Sequence, residues 1–394
     1  MKTTQRLNVC IVHPNRNAYS ETFILNHIEY LPVNVFDVYG SYWPQFDGDD
    51  NSLIDFYIRR SFITWIFFYS TKLLPFFIFN RLPASVTCLP KNDQNLQRVA
   101  FRYFLKKNKI DAVLAEYGFK GTIVYKLCEE LNIPLIVHFH GYDAHNQVLL
   151  QRFEEEYKKM FKNVFAIIVV SEYMKQAILN LGAPGNKVHL IHYGVNIELF
   201  KASSPQKNPP VFVSVGRFAD TKAPQLTIMA FAKVLQSCIV AKLIMIGDGP
   251  LLESCKTISC ALKIDDSIEF MGIQTPAQVA EIMHNSRAFI LHSIITSDND
   301  AEGTPNVILE ASSSALPIVS TLHAGIPDVV IHGETGFLVK EKDIDAMAEY
   351  MIRLANDGGL SARMGAEGRK RIEQHFQLSE QINKLMNIIQ TSTQ

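Results

Sequence analysis

Ala202-Ser203-Ser204-Pro205-Gln206-Lys207-Asn208-Pro209-Pro210 has linker composition, and Val211-Phe212-Val213-Ser214-Val215 follows it as a fresh apolar run. Proline fixes φ and lacks an N–H, so the first stretch punctuates the chain. The β-branched and aromatic run after it reads as a strand. Working outward, the same alternation is met on both sides. Before residue 202, apolar runs at 7–12, 33–39, 111–115, 134–139, 164–170 and 187–192 are separated by helical patterns such as 20–31, 94–107, 119–132 and 171–181. After residue 210, runs at 211–215, 242–246, 268–271, 287–291, 317–320 and 336–339 repeat the scheme. Strands alternating with helices imply a parallel sheet covered on both faces.

The expected fold class is therefore α/β, with two Rossmann-like, doubly wound domains over 1–201 and 211–377, joined by the linker 202–210 and facing each other across a cleft. Ligands in such folds sit at the carboxyl ends of strands. Residues 378–394 carry an amphipathic helix, with Leu378, Ile382, Leu385, Met386, Ile388 and Ile389 at helical spacing. No strand follows, so this helix is expected to cross back to the N-terminal domain.

Composition narrows the function. Across 394 residues, 38 Lys+Arg meet 39 Asp+Glu, and 47% of residues are apolar. Such usage excludes a disordered chain, and the near-zero net charge excludes a uniform nucleic-acid binder. Cysteines 10, 88, 128, 238, 255 and 260 lie in apolar segments without a C-x-x-C. They read as buried free thiols of a cytoplasmic protein. The first apolar run contains Asn8 and is too short for a secretory signal. Residues 62–79 are strongly apolar but include Lys72 and Pro75, whereas a spanning helix needs about 20 uninterrupted apolar residues. Residues 56–109 hold ten basic residues against Asp93 alone, a net of +9, and 13 of the 41 aromatics. Two readings stay open for this segment. One is peripheral docking on an anionic bilayer, at the inner face of the cell membrane. The other is a core helix at 62–79 beside a solvated basic helix at 96–109.

The second half carries the densest chemistry. Gly216-Arg217 follows the strand at 211–215, and Lys222 follows five residues later. An Arg fork and a Lys point charge at a strand's carboxyl edge suit a diphosphate. Gly247-Asp248-Gly249-Pro250 follows the strand at 242–246 and permits a tight turn or a close backbone approach. Glu302-Gly303-Thr304-Pro305-Asn306-Val307-Ile308-Leu309-Glu310 begins a helix, with Thr304 expected as N-cap and Pro305 at the first helical position. The amides at 304–307 would form an anion site, and Glu302 and Glu310 could accept hydrogen bonds from sugar hydroxyls. In the first half, His138-Phe139-His140-Gly141-Tyr142-Asp143 places two histidines on one strand face. No further ligands stand at zinc-like spacing, so a metal is not expected there.

These segments together resemble the nucleotide-sugar domain of family-4 retaining glycosyltransferases, enzymes of the two-domain GT-B architecture. The resemblance rests on Gly216-Arg217 with Lys222, on Gly247-Asp248-Gly249-Pro250, and on the Glu-x7-Glu element from Glu302 to Glu310. It implies that Glu302 contacts the donor sugar, Glu310 the ribose, and Arg217 and Lys222 the diphosphate. Gly216, Gly247, Gly249, Gly303, Thr304, Pro305, Asn306 and Val307 complete the implied nucleotide-sugar site. His140-Gly141-Tyr142-Asp143 is similar to the family's His-Gly-x-Asp element, which implies His140 near the reacting sugar carbon and Asp143 in support. The implied catalytic set is thus His140, Glu302, Arg217 and Lys222. Two departures are Ala223, where the family usually has Gly, and Asn196, where Asp is usual.

The first loop reads Ser20-Glu21-Thr22-Phe23 where many members carry Gly-Gly, similar to a subset acting in bacterial exopolysaccharide and surface-glycan assembly. Ser20, Glu21 and Arg16, with Asp143, are the candidate acceptor-binding residues. Glu21 reads first as a first-turn partner of the helix dipole, with Ser20 as the N-cap candidate, and otherwise as a ligand of an acceptor hydroxyl. Asp298 and Asp300 look like a metal-binding Asp-x-Asp, but the family generally needs no divalent ion, and no metal or other cofactor is expected. The expected reaction moves a sugar from a nucleotide-diphospho-sugar, UDP-sugar by family frequency, to a glycan or lipid-linked saccharide hydroxyl. A sugar-nucleotide epimerase of the same architecture and a non-catalytic nucleotide-sugar-binding protein are the alternatives. A dehydrogenase lacks its G-x-G-x-x-G.

Overall fold

The computed structural model describes residues 6–16, 21–58 and 93–394. One sheet contains β1 (Asn8–His13), β2 (Asn34–Tyr39), β3 (Phe46–Asp47), β4 (Ala112–Glu116), β5 (Leu135–His138), β6 (Ala166–Val169) and β7 (Val188–Leu190), in the order β3-β2-β1-β4-β5-β6-β7. β1 runs parallel to β2 and β4, and β4 to β5, while the edge strand β3 is antiparallel to β2. The other sheet contains β8 (Val211–Val215), β9 (Lys242–Ile246), β10 (Ile268–Gly272), β11 (Ala288–Leu291), β12 (Ile318–Thr321) and β13 (Gly336–Val339), in the order β10-β9-β8-β11-β12-β13. All its pairings are parallel.

Both orders reverse beside the first strand, at β1/β4 and at β8/β11, which is the doubly wound scheme expected from the alternation. Central strands of a parallel sheet are covered on both faces and read as continuous apolar runs. Val9, Cys10, Ile11, Val12 and residues 112–115 are accordingly buried, as are Phe212 and Val213 in β8. β3 escaped the sequence reading because two half-buried edge residues carry no periodicity. The helix Gln147–Asn163 escaped it because its buried residues, Tyr157, Met160 and Phe161, cluster at one end.

The chain divides into two compact units. One comprises Met1–Phe139, Glu155–Ile167 and Met386–Gln394, the other His140–Glu154 and Ile168–Leu385. Residues 202–210 lie inside the second unit, where Asn208 Nδ2 donates to the carbonyls of His284 (2.9 Å) and Ser286 (2.7 Å). The last helix spans Leu378–Ser392. Cys10, Cys128 and Cys255 are buried free thiols, and burial pushes Cys128 up to about 12 and Cys255 to about 11. Cys260, expected buried, is exposed near the end of the helix Leu252–Ala261, whose buried residues are Cys255 and Ser259.

Among the described residues no helix is long and apolar enough to cross a membrane. Residues 62–79, Cys88 and Ser20 lie outside the described residues. In the basic helix Gln94–Lys107, Arg98 and Arg102 both pair with Glu130, the latter at 2.9 Å, so part of the +9 is answered locally. Lys106 and Lys107 occupy its last turn, where the helix dipole favours cations.

Candidate active site

The turns after β8 and β9 meet backbone to backbone. Gly247 has φ 131°, and a Cβ there would lie 2.1 Å from the Gly216 carbonyl oxygen. Glycine alone fits both demands. Lys222 closes a short 3-10 turn, Asp220–Lys222, and Ala223 follows at φ 36°, in the left-handed region. The position where Ala replaces the family's usual Gly therefore does carry a glycine-like conformation, at a cost of roughly 1–2 kcal/mol for a residue with a Cβ. Pro224 then opens the helix Pro224–Ser237. A shallow pocket open to solvent is lined by Gly216, Arg217, Lys222, Met245 and Leu291.

Eighty residues further on, the loop after β11 returns to this place. Glu302 Oε1 lies 2.9 Å from Lys222 Nζ, with side chains 20% and 14% exposed. Burial pushes the Glu302 carboxyl up, but Lys222, His323 and Arg217 outweigh it and hold the group below the ordinary range. Glu310 meets no such cation, and burial raises it to about 7. Asp300 is raised to about 6 by burial and by the neighbouring Glu302.

The helix begins at Asn306, not at Pro305, and has no side-chain cap. Thr304, expected as N-cap, turns its Oγ1 to the Val170 carbonyl instead, at 3.3 Å. Pro305 has no N–H, so the expected set of amides at 304–307 is one short. The helix N-terminus nevertheless faces the loop that carries Glu302 and remains an anion-favouring end.

His140 joins this constellation through two glycines. Gly141 has φ 123°, and its Cβ would fall 2.6 Å from the Gly303 nitrogen, while a Cβ on Gly303 would fall 2.7 Å from the His140 carbonyl oxygen. The two loops thus touch backbone to backbone, with His140 and Glu302 next to the contact. Asp143 is fully buried and accepts from the His140 backbone N–H at 2.8 Å. It therefore shapes this loop and is not exposed to an acceptor. His140 Nδ1 lies 2.7 Å from the Tyr193 hydroxyl, the two rings being stacked 7° from parallel.

Other expectations are corrected. β5 ends at His138, so His138 and His140 do not share a strand face. His138 Nδ1 instead lies 3.3 Å from Glu116 Oε2 in the first unit, and Glu116 Oε1 lies 2.7 Å from His27 Nδ1. Among the described residues this buried trio is the one group whose ligand-type atoms fall within 4.8 Å of one another. Each Glu116 oxygen already answers one imidazole. Asp298 accepts from Asn146 Nδ2 (2.7 Å) and Thr296 Oγ1 (2.5 Å), and its charge adds to the raising of Asp300. Glu21 is the helix N-cap and accepts from Asn15 Nδ2 (3.1 Å) and Tyr117 Oη (2.9 Å). Arg16 pairs with Asp50 and donates to the Gly48 carbonyl at 3.0 Å. Asn196, the second departure, accepts from the amides of Glu198 (3.0 Å) and Leu199 (3.2 Å), a turn that needs an acceptor but no charge.

Sequence reasoning missed Tyr193, His323 and Glu341. His323 Nε2 lies 3.1 Å from the Glu302 nitrogen, and its Nδ1 lies 2.7 Å from Glu341 Oε1. Both residues stand just past strand ends, at β12 and β13, so the carboxyl-edge rule applied strand by strand would have found them.

Two cations, two carboxylates and an adjacent histidine thus gather at the carboxyl ends of a doubly wound sheet, an arrangement suited to a diphosphate-bearing ligand. Two family models match consecutive stretches, Glycosyltransferase Family 4 over residues 68–199 and Glycosyl transferases group 1 over residues 195–371. Together the two models span residues 68–371, and the chain is a glycosyltransferase of GT-B architecture. It is 26% identical over 286 residues to the putative colanic acid biosynthesis glycosyltransferase WcaL of Salmonella typhimurium, covering 71% of this chain and 70% of that protein. It is 25% identical over 284 residues to the amylovoran biosynthesis glycosyltransferase AmsK of Erwinia amylovora, again covering 71% and 70%. Anabaena HepE in complex with UDP has the same fold, with TM-score 0.72 at 16% identity over 98% of this chain and 100% of that one.

Proposed function

We propose that this glycosyltransferase moves a sugar from a nucleoside-diphosphate sugar, with UDP as the nucleotide, to a hydroxyl of a glycan or lipid-linked saccharide in exopolysaccharide or surface-glycan assembly. The transfer proceeds with retention and without a divalent ion. The observation that carries this reading is the 2.9 Å Lys222–Glu302 pair beside Arg217, at the β8/β11 switch point. Loss of a diphosphate needs fixed positive charge where negative charge develops. Arg217 offers a fork and Lys222 a point charge, with the helix N-terminus at 306 adding a dipole. Glu302, held ionised, takes the sugar hydroxyls, and Glu310 takes the ribose. His140 lies beside the reacting carbon. The acceptor attacks from the face that the diphosphate leaves, and a β-phosphate oxygen takes its proton. No carboxylate then acts as nucleophile, unlike the paired-carboxylate glycosidases.

The relatives named for colanic acid and amylovoran biosynthesis support a polysaccharide pathway. The net +9 of residues 56–109 supports work at the anionic inner face of a membrane. Co-sedimentation with neutral and anionic vesicles tests that part, and equal binding to both defeats it. For the reaction itself, Glu302→Gln and Lys222→Ala are assayed for transfer across UDP-, GDP- and ADP-sugars. Each should lose about 100-fold or more while circular dichroism is unchanged, the scale of one lost transition-state contact. Full activity in both variants sinks the assignment. Activity abolished by chelator and restored by Mn²⁺ or Mg²⁺ sinks metal independence, and inversion seen by NMR of the product sinks retention.

A further inference from the structure

We infer that His323 and Glu341 form a positioning couple that fixes the Glu302 backbone, and through it the Lys222–Glu302 pair, for transfer. This rests on the reading of Glu302 given above. Three successive strand ends supply the parts: Glu302 from the loop after β11, His323 two residues past β12, and Glu341 two residues past β13. His323 is 1% exposed and lies between the other two. The Glu302 N–H points at His323 Nε2 at 3.1 Å, so that nitrogen must be the acceptor. His323 Nδ1, 2.7 Å from Glu341 Oε1, must then carry the proton. The second Glu341 oxygen accepts from the Ile295 N–H at 2.9 Å, which ties the carboxylate to the start of the same loop. Loop 295–302 is thus pinned at both ends by one His–Glu couple.

Only the neutral Nδ1–H tautomer fits. An imidazolium would aim an Nε2–H at the Glu302 N–H, donor against donor, and push residue 302 away from Lys222. The charged groups around His323 act in both directions. Burial and Lys222 oppose its protonation, while Glu341 and Glu302 favour it, with a net lowering. The neighbouring His145 and His292 are themselves lowered to about 4, by burial first and by His323, and stay uncharged above that pH. The couple therefore holds its working form at neutral pH and loses it on acidification.

The role predicts a loss in turnover, not in donor affinity. With donor and acceptor saturating, His323→Phe should lower kcat by about 10- to 100-fold, as expected for a misplaced reacting group. UDP affinity by calorimetry should change less than about 3-fold, or about 0.65 kcal/mol. His323→Gln, whose Oε1 can accept from the Glu302 N–H, should recover most of the loss and abolish the acid limb of the kcat–pH profile. Glu341→Ala serves as a second variant, since it frees the His323 tautomer without emptying the core, and should lose turnover in the same direction. The ring ¹⁵N shifts of His323 should report Nδ1–H at pH 7.5.

The couple is overturned if His323→Phe and Glu341→Ala keep full kcat, if His323→Gln is no better than His323→Phe, or if the ring reports Nε2–H. Glu302→Gln run alongside separates the two levels. An inactive Glu302→Gln with a fully active His323→Phe overturns the couple alone, whereas an active Glu302→Gln overturns the site reading and the couple's role with it.

Discussion

At the carboxyl ends of β4 and β5, the first unit buries a carboxylate between two imidazoles. Glu116 and His138 are paired in register as the last residues of their strands, and Glu116 is fully buried. At the carboxyl ends of β8 and β11, the second unit sets Lys222 against Glu302 with both side chains still partly exposed. The second place is the β8/β11 switch point, whereas the first lies one strand beyond its own sheet's switch point, β1/β4. One spends its charges internally, while the other keeps them reachable by a ligand. Topology therefore chooses where a site can form, and the polarity left unsatisfied there chooses whether one does.

The sharpest way to break this contrast is to open the satisfied edge. Glu116→Ala leaves two buried imidazoles without their shared acceptor. Removing one member of a buried ionic network costs about 3 kcal/mol or more. That corresponds to roughly 6–12 °C in the calorimetric transition of the first unit. UDP binding at temperatures below that transition should be unaffected. If instead Glu116→Ala leaves the melting profile untouched and abolishes UDP binding, the two edges are not chemically separate and the comparison fails.

A smaller effect should come from the floor of the reachable edge. Gly247→Ala puts a Cβ where the Gly216 carbonyl oxygen stands, at a backbone φ of 131°. The strain is about 1–3 kcal/mol and falls on the turn that carries Arg217, so UDP affinity by calorimetry should drop by about 5- to 100-fold. The imidazole resonances of His27 and His138 should not move. Unchanged UDP affinity would show that the β8–β9 turns are not the diphosphate floor.

How far this contrast was visible in the sequence follows from the distances involved. The strands were legible because Val9 to Val12 and Val211 to Val215 are short apolar runs between breakers, a local pattern. Arg217, Lys222, Glu302 and His140 were legible as separate motifs, each at the end of such a run. Their convergence was legible only through the family resemblance, since no local pattern shows that β8 lies beside β11, which is what brings Lys222 to Glu302. The Glu116–His138 pairing was invisible for the same reason, although both end neighbouring strands. Thr304 misled because a Ser or Thr before a proline reads as an N-cap, yet its hydroxyl found the Val170 carbonyl, a tertiary partner no local rule contains. His323 and Glu341 were legible as residues just past strand ends, but nothing in their own segments shows that they meet Glu302.

The smallest effect, and the one that most sharpens the contrast, concerns Glu310. Burial raises its carboxyl from an ordinary 4.5 to about 7 in the folded chain. The folded state thus keeps a proton between about pH 4.5 and 7 that the unfolded state has released. The stability this contributes is complete below pH 4.5 and is lost as pH rises through 7. At pH 8 the chain therefore holds an ionised carboxylate in a poorly solvated place, a strain that a ribose diol donating two hydrogen bonds would relieve. Glu310→Gln removes the charge, and without nucleotide it should raise the melting temperature at pH 8 by roughly 2–4 °C, for about 1 kcal/mol. The gain should vanish at pH 5, where Glu310 is already protonated. The same substitution should weaken UDP binding at pH 8, and wild-type affinity should fall as pH drops below 7 while that of Glu310→Gln stays flat. A Glu310→Gln variant that is stabilised without losing affinity would make Glu310 a mere packing defect, and the second edge would then differ from the first only in its Lys222–Glu302 pair. A variant that loses both stability and affinity would mean that the carboxylate is satisfied within the fold, as Glu116 is.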